Sequence, residues 1–245
     1  MTNTIRELYR RKSVRSFTGE SIPPEAREAI LRSAVAAPTP GNQQMYTIID
    51  VQDPALRQRL AVLCDNQPFI AEAALVLVFC ADWCKWYDAY AEGGAVPRVP
   101  ETGDLMLAVT DACIAAQNAV TAAESLGIGS CYIGDVMENC EAMRGCLGLP
   151  RYVFPAAMLV FGYPTAQQLA RPKPERCPLE SIVCIDGYRR KSGEELRAMF
   201  AGKAGDKGYD AWAQAFCTRK HNSAFSREMS RSVREYLKDF EGPGE

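Results

Sequence analysis

The chain is poor in the residue that most enzymes use for proton transfer: among 245 residues it has a single histidine, His221. A Ser–His–Asp triad, a Cys–His pair or a histidine-rich metal site would each have to use it. Yet it lies in the polar stretch Arg219-Lys220-His221-Asn222 near the tail, where a solvated histidine is the ordinary finding. Any hard chemical step therefore falls to something else, and a bound organic cofactor is the common provider. Close cysteine pairs are also missing. The ten cysteines, at 64, 80, 84, 113, 131, 140, 146, 177, 184 and 217, form no C-x-x-C pair, which argues against zinc and iron–sulfur sites. They read as reduced, mostly buried thiols of a cytoplasmic protein. Excess charge of one sign is absent too: a formal net charge of -2 provides no global field for nucleic acid or an anionic membrane. No run of ~18 uncharged apolar residues predicts a membrane span. Arg6, Arg10, Arg11 and Lys12 break the amino-terminal segment before any apolar run, so no secretory leader is expected. Repeats and low-complexity segments are lacking as well.

What is present reads as an α+β protein. Hydrophobic residues make up 47% and charged residues 24%, as in ordinary soluble domains. Thr4-Ile5-Arg6-Glu7 has the form of a capping box, opening a helix that ends near Arg11. Pro23 and Pro24 open a second helix, stopped by Pro38. Tyr46 to Val51 predicts a strand, Pro54 to Cys64 a short helix, and the continuous apolar run Leu75 to Cys80 a buried strand. Trp83 to Pro100, with Gly93-Gly94 and prolines, predicts a mobile surface excursion. Asp104 to Leu126 is the longest helical signal, apolar almost all round and so expected to be buried; Asp111, Gln117, Asn118 and Glu124 interrupt it, against a membrane span. Gly129 to Ile133, Ala156 to Phe161 and Ile182 to Ile185 are further strand candidates, with a helix around Glu138 to Leu147. Helices over Ser192 to Phe200, Tyr209 to Lys220 and Ser226 to Phe240 complete the chain, so that helices flank a few buried strands.

Four stretches could carry a ligand. Arg11-Lys12-Ser13-Val14-Arg15 packs three cations and a hydroxyl into the turn after a helix; such donors suit a phosphate, and basic residues there equally complement the helix dipole. Pro38-Thr39-Pro40-Gly41-Asn42-Gln43-Gln44 concentrates amides and hydroxyls that either read a heterocycle or satisfy a turn. The glycine-rich stretch Ser125 to Asp135 is not G-x-G-x-x-G and follows a helix instead of opening one, so the classical dinucleotide fold does not apply; its glycines permit a close backbone approach or a plain turn. Arg171-Pro172-Lys173-Pro174-Glu175-Arg176 is either a second set of phosphate donors or an exposed linker.

In this order, R-x-S-x-R-x-F, the asparagine- and glutamine-bearing loop, the Ala-rich helix, G-I-G-S-C-Y-I-G-D and the late K-P-x-R resemble the nitroreductase family over roughly Ile5 to Tyr188. The stretches Ala71-Glu72-Ala73-Ala74 and Ala115-Ala116-Gln117-Asn118-Ala119 are similar to its NAD(P)H nitroreductase and flavin-reductase branch. The resemblance implies a mixed, mainly antiparallel sheet flanked by helices, with a long buried central helix. It implies an FMN-binding domain over 1–190 and a helical C-terminal extension over 191–245. Carried over by position, Arg11, Ser13 and Arg15 match FMN contacts, with Lys12 at another polar or basic position. Thr39, Asn42 and Gln67 match residues touching the flavin or its ribityl chain. Tyr132, Ile133 and Gly134 match the backbone that approaches the ring, and Lys173 and Arg176 the late phosphate contacts. Glu175 lengthens the family's K-P-R by one residue, and Thr39-Pro40 stands where serines are common. Beyond Tyr188, Lys203 and Lys207 are the nearby candidates for reading a nicotinamide 2′-phosphate.

The implied protein is a homodimer with FMN at the subunit interface. It takes hydride from NAD(P)H and passes it to a small-molecule acceptor (nitroaromatic, quinone or flavin) by a ping-pong route, with no nucleic-acid or membrane partner. A specialised flavin reaction, such as ene reduction or dehalogenation, and a non-catalytic flavin sensor are the alternatives.

Overall fold

The computed structural model describes residues 1–242, which form two compact units: Met1–Arg171 together with the chain from Glu228 onward, and Pro172–Arg227. The first unit is built on a four-stranded sheet of order β1-β2-β4-β3, where β1 is Tyr46–Asp50, β2 Leu75–Asp82, β3 Gly129–Ile133 and β4 Val153–Gly162. Every strand pair is antiparallel. A lone parallel bridge, Ser13 to Ser130, and an antiparallel one, Phe17 to Pro164, lay the segment after the first helix along the β3 and β4 edge. All residues of β2 and β4 are buried. That is why β2 reads as an unbroken apolar run: a strand covered on both faces has no solvent side to alternate toward.

Helices α1 (Asn3–Arg10), α2 (Pro24–Val35), α3 (Pro54–Leu63), α4 (Phe69–Glu72), α5 (Cys84–Glu92), α6 (Thr102–Ser125), α7 (Cys140–Leu147) and α8 (Ala166–Ala170) surround the sheet. The long central helix is α6. It opens on a capping box between Glu101 and Asp104 and packs against α2, β2 and β4. Ala108, Ala112, Ala115, Ala116, Ala119 and Ala123 are fully buried on its inner face, and such small side chains let the sheet come close. Burial of α6 is one-sided: Met106, Leu107, Thr110, Cys113, Ile114 and Gln117 form an exposed outer stripe. By length and composition α6 is the one helix among the described residues that could cross a bilayer, but here it is the core helix of this unit.

The second unit holds α9 (Leu179–Ile182), α10 (Gly193–Ala204), α11 (Tyr209–Phe216) and the start of α12 (Ala224–Leu237). A capping box of Ser192 and Glu195 opens α10, and Trp212 stacks between Phe200 and Phe216 at centroid distances of 5.3 and 5.5 Å. Cys217–His221 continues α11 as a π-helical turn, and its histidine is exposed.

Four local expectations are corrected. Thr4 lies inside α1 and forms no cap; the N-cap position is Thr2, without a side-chain bond. The segment from Trp83 contains a helix, α5, tethered by indole N–H groups: Trp83 donates to Asp104 O at 2.7 Å and Trp86 to Gln43 O at 2.8 Å. Ile182–Ile185 is not a strand, since Leu179–Ile182 is a helical turn and no strand edge lies in its unit among the described residues. The cysteines are all free but only Cys64, Cys80, Cys131 and Cys140 are buried.

Candidate functional site

The basic segment is set down beside β3 by backbone bonding. After α1 the chain turns extended at Arg11, and the Val14 N–H donates to Ser130 O at 2.9 Å. This approach requires a glycine opposite: a Cβ on Gly129 would lie 2.6 Å from Val14 Cγ2. The buried Gln168 of α8 clamps the same segment from the other side. Its Oε1 accepts the Arg15 N–H at 3.3 Å and its Nε2 donates to Ser13 O at 3.5 Å.

The cations then divide. The Lys12 ammonium donates to Leu169 O at 2.8 Å and to Arg171 O, so it caps the end of α8. Arg11 Nε is buried with no hydrogen-bond partner, an omission that ordinarily costs about 1–3 kcal/mol unless a ligand supplies the acceptor. The Arg15 guanidinium also has no hydrogen bond or ion pair among the described residues, and it borders an open cavity of about 530 Å³ with Ser16, Gln167, Gln168, Ala170 and Arg171. Burial raises the Cys131 thiol, against the charge of Arg15, the hydroxyl of Ser13 and the charge of Arg11, which pull it down. Burial likewise pushes the Tyr132 hydroxyl up to about 12, against the charge of Arg11. Arg11, Ser13, Arg15 and the β3 residues leading to Tyr132 thus share one electrostatic neighbourhood.

Ile133 is buried and Gly134 begins a 3-10 turn through Met137. That turn brings Asp135 to Gln67, whose Nε2 donates to Asp135 Oδ2 at 2.9 Å and to Cys64 O at 2.8 Å. Gln67 therefore joins the far end of β3. The polar loop is fastened elsewhere. Thr39 Oγ1 donates to Asp111 Oδ2 at 2.8 Å, and Gly41, Asn42 and Gln44 take left-handed φ values of 56°, 57° and 50°. Such conformations cost about 1–3 kcal/mol at each non-glycine position and persist only where the surroundings enforce them. Among the described residues no hydrogen bond or ion pair joins Thr39 or Asn42 to Arg11–Arg15 or to β3. Lys173, half-buried, and Arg176, exposed, belong to the second unit.

Sequence reasoning missed Gln168, Asp135, Asp111 and Trp86. Only Asp111 left a signal, as an acid amid a run of alanines; the others act through contacts between distant residues.

What the first unit offers is a set of unspent guanidinium donors, a backbone strip held open by glycine, and a separate amide-rich loop. That donor chemistry fits a phosphorylated heterocycle such as FMN.

Comparison with known proteins agrees. The model of the Nitroreductase family matches residues 8–163. An FMN reductase (NADPH) of Bacillus subtilis is 31% identical, covering 98% of this chain and 96% of that protein. An oxygen-insensitive NADPH nitroreductase of Salmonella typhimurium is 32% identical, covering 87% of this chain and 89% of that protein. The structure of the NADPH:FMN oxidoreductase of Vibrio harveyi complexed with NAD+ superposes with a TM-score of 0.82 at 25% identity, over 96% of this chain and 98% of that one.

Proposed function

Since this chain belongs to the nitroreductase family, we propose that it is an FMN-dependent oxidoreductase that takes hydride from NAD(P)H and delivers it to nitroaromatic, quinone or flavin acceptors. The observation that carries this reading is the buried, unpartnered Nε of Arg11 beside Ser13 and the free guanidinium of Arg15. When bound, FMN supplies the hydride-accepting ring that no side chain here provides. Arg11 and Arg15 hold its phosphate with Ser13, and Lys12 keeps α8 in place behind them. The backbone of Tyr132, Ile133 and Gly134 lines the ring, with Gln67 beside it. Thr39 and Asn42 bring the amide-rich loop to the flavin; for Lys173 and Arg176, in the second unit, the phosphate role remains the expectation drawn from the resemblance. We assign residues 1–190 to flavin binding and 191–245 to a helical extension, a division by role of which residues 243–245 lie outside the described residues.

We further assign a cytoplasmic homodimer with FMN at its interface. Two observations support the dimer: the apolar stripe on α6 faces outward, and among the described residues the Thr39–Asn42 loop has no hydrogen bond or ion pair to the basic segment of its own chain. A second copy would unite them.

The relatives are reductases along nearly their whole length, so neither a specialised flavin reaction nor a sensor is favoured. The test is direct. Purified protein should be yellow, release FMN on denaturation, and consume NAD(P)H steadily with a quinone, giving parallel double-reciprocal plots. A colourless protein that also fails to take up added FMN would overturn the reading.

A further inference from the structure

One buried carboxylate holds the loop between α2 and β1 from beneath. Asp111 lies midway along α6 among Ala108, Ala112 and Ala115, and is itself only 1% exposed. Packing there asks for another small apolar residue, and a carboxylate taken out of water needs donors in return. Asp111 takes two donors from the loop, both on Oδ2: Thr39 Oγ1 at 2.8 Å and the Met45 N–H at 2.7 Å, while its buried Oδ1 has no hydrogen-bond partner among the described residues. Thr39 Oγ1 in turn accepts the Gln44 N–H at 2.8 Å. These bonds close the two ends of the loop around the left-handed residues Gly41, Asn42 and Gln44. Trp86 of α5 adds a bond to Gln43 O at 2.8 Å. Lys85, donating to Tyr46 O at 2.6 Å, is a cation within electrostatic reach of the same carboxylate.

The Thr39 hydroxyl is thus spent as donor and as acceptor inside the protein. Asn42 is exposed on the same loop, and its side chain has no hydrogen-bond partner among the described residues.

We propose that Asp111 is a positioning residue for flavin binding: through Thr39 and Met45 it sets the backbone that presents Asn42, without itself touching the cofactor. The proposal rests on the FMN reading above.

FMN titrated into apoprotein, followed by quenching of flavin fluorescence, tests it. Thr39→Val removes the hydroxyl at nearly constant shape, Thr39→Ser restores it, and Asp111→Asn keeps an acceptor while removing the charge. Thr39→Val should bind FMN about tenfold or more weakly, because binding must then supply the ordering of the loop that one charge-assisted hydrogen bond had provided beforehand. It should also lose hydrogen-exchange protection at the Gln44 and Met45 amides and melt somewhat lower, since the buried carboxylate keeps a single donor, while staying folded with unchanged far-ultraviolet circular dichroism at the temperature of the titration. Thr39→Ser and Asp111→Asn should recover most of the affinity and alter the bound flavin's visible circular dichroism little. Asp111→Ala should be at least as weak as Thr39→Val, but Asp111→Ala can disturb folding, so the two Thr39 variants decide. Normal binding by the wild type together with unchanged binding by Thr39→Val, or failure of Thr39→Ser to rescue, overturns this proposal alone. A wild-type chain that binds no FMN brings down the flavin reading as well.

Discussion

Gln67 donates a carboxamide N–H to the Asp135 carboxylate at 2.9 Å, and the backbone N–H of the buried Glu138 donates to Asp135 O at 3.0 Å. The pair joins the turn after α3 to the turn after β3, two pieces of the proposed flavin site that lie 68 residues apart.

Glu138 turns this junction into a pH-dependent element of stability. Burial first, then the charges of Asp135, Asp65 and Glu228 and the bond to Asp135, push its carboxyl up to about 7 from 4.5. Arg231 faces the group only through Glu228, with which it pairs at 2.8 Å. Because the folded value is the higher one, Glu138 contributes stability that is fully present below about 4.5 and is lost as pH rises through about 7. Glu138→Gln can still donate to Asp135 but cannot ionise. Urea denaturation at pH 8 should therefore find it more stable than wild type by up to roughly 3 kcal/mol, with no advantage at pH 4. An equal gap at both pH values would contradict this account.

Arg15 should matter to the ligand and not to the fold, because its guanidinium holds nothing in the protein. Arg15→Ala should weaken FMN binding by ~1.5–3 kcal/mol, about ten- to a hundredfold, and leave the apoprotein's unfolding midpoint unchanged. Unaltered FMN affinity would return the residue to the part of a helix-end cation.

Gly129 tests the close approach of the basic segment to β3. A Cβ there would lie 2.6 Å from Cγ2 of Val14, a stiff β-branched side chain with no room to swing aside. Gly129→Ala should destabilise the protein by about 1–3 kcal/mol and loosen FMN together. Gly145→Ala, inside α7 with open space around it, is the control and should stabilise by up to about 1 kcal/mol. Equal stability of the two variants would refute the steric argument.

How far these contacts could be foreseen follows from their range. The buried strand β2 was legible because eight consecutive residues from Leu75 are enclosed on both faces. The basic segment was legible because its donors are adjacent in the chain, and the α6 span because its residues share a composition. What escaped was set by distant partners. Gly93, Gly94 and Pro97 made residues 83–100 look like a loop, whereas α5 is held by two indole bonds to Gln43 and Asp104. Ile182–Ile185 has the composition of a strand but no neighbour to pair with, and Ile182, Val183 and Ile185 are all exposed. Lys12 looked interchangeable with Arg11 and Arg15 in sequence; only the carbonyls at the end of α8 set it apart.

The outer stripe of α6 makes the sharpest claim about assembly. Met106, Leu107 and Ile114 are 59%, 52% and 37% exposed on a helix whose opposite face is fully buried, so water meets apolar surface along several turns. Burying one such side chain against a second copy contributes about 1.5–3 kcal/mol, and placing a lysine in that interface would instead strand a charge away from water. Sedimentation of the wild type at micromolar concentration should give about twice the chain mass of 27.0 kDa. The double variant Leu107→Lys with Ile114→Lys should give a single chain mass, with its helical content retained because both positions already face solvent. If the loop at Thr39–Asn42 completes the flavin site of the partner, that monomer should also lose FMN in parallel with its loss of mass. A monomeric wild type loaded with FMN, or a lysine variant that stays dimeric, would place the interface elsewhere.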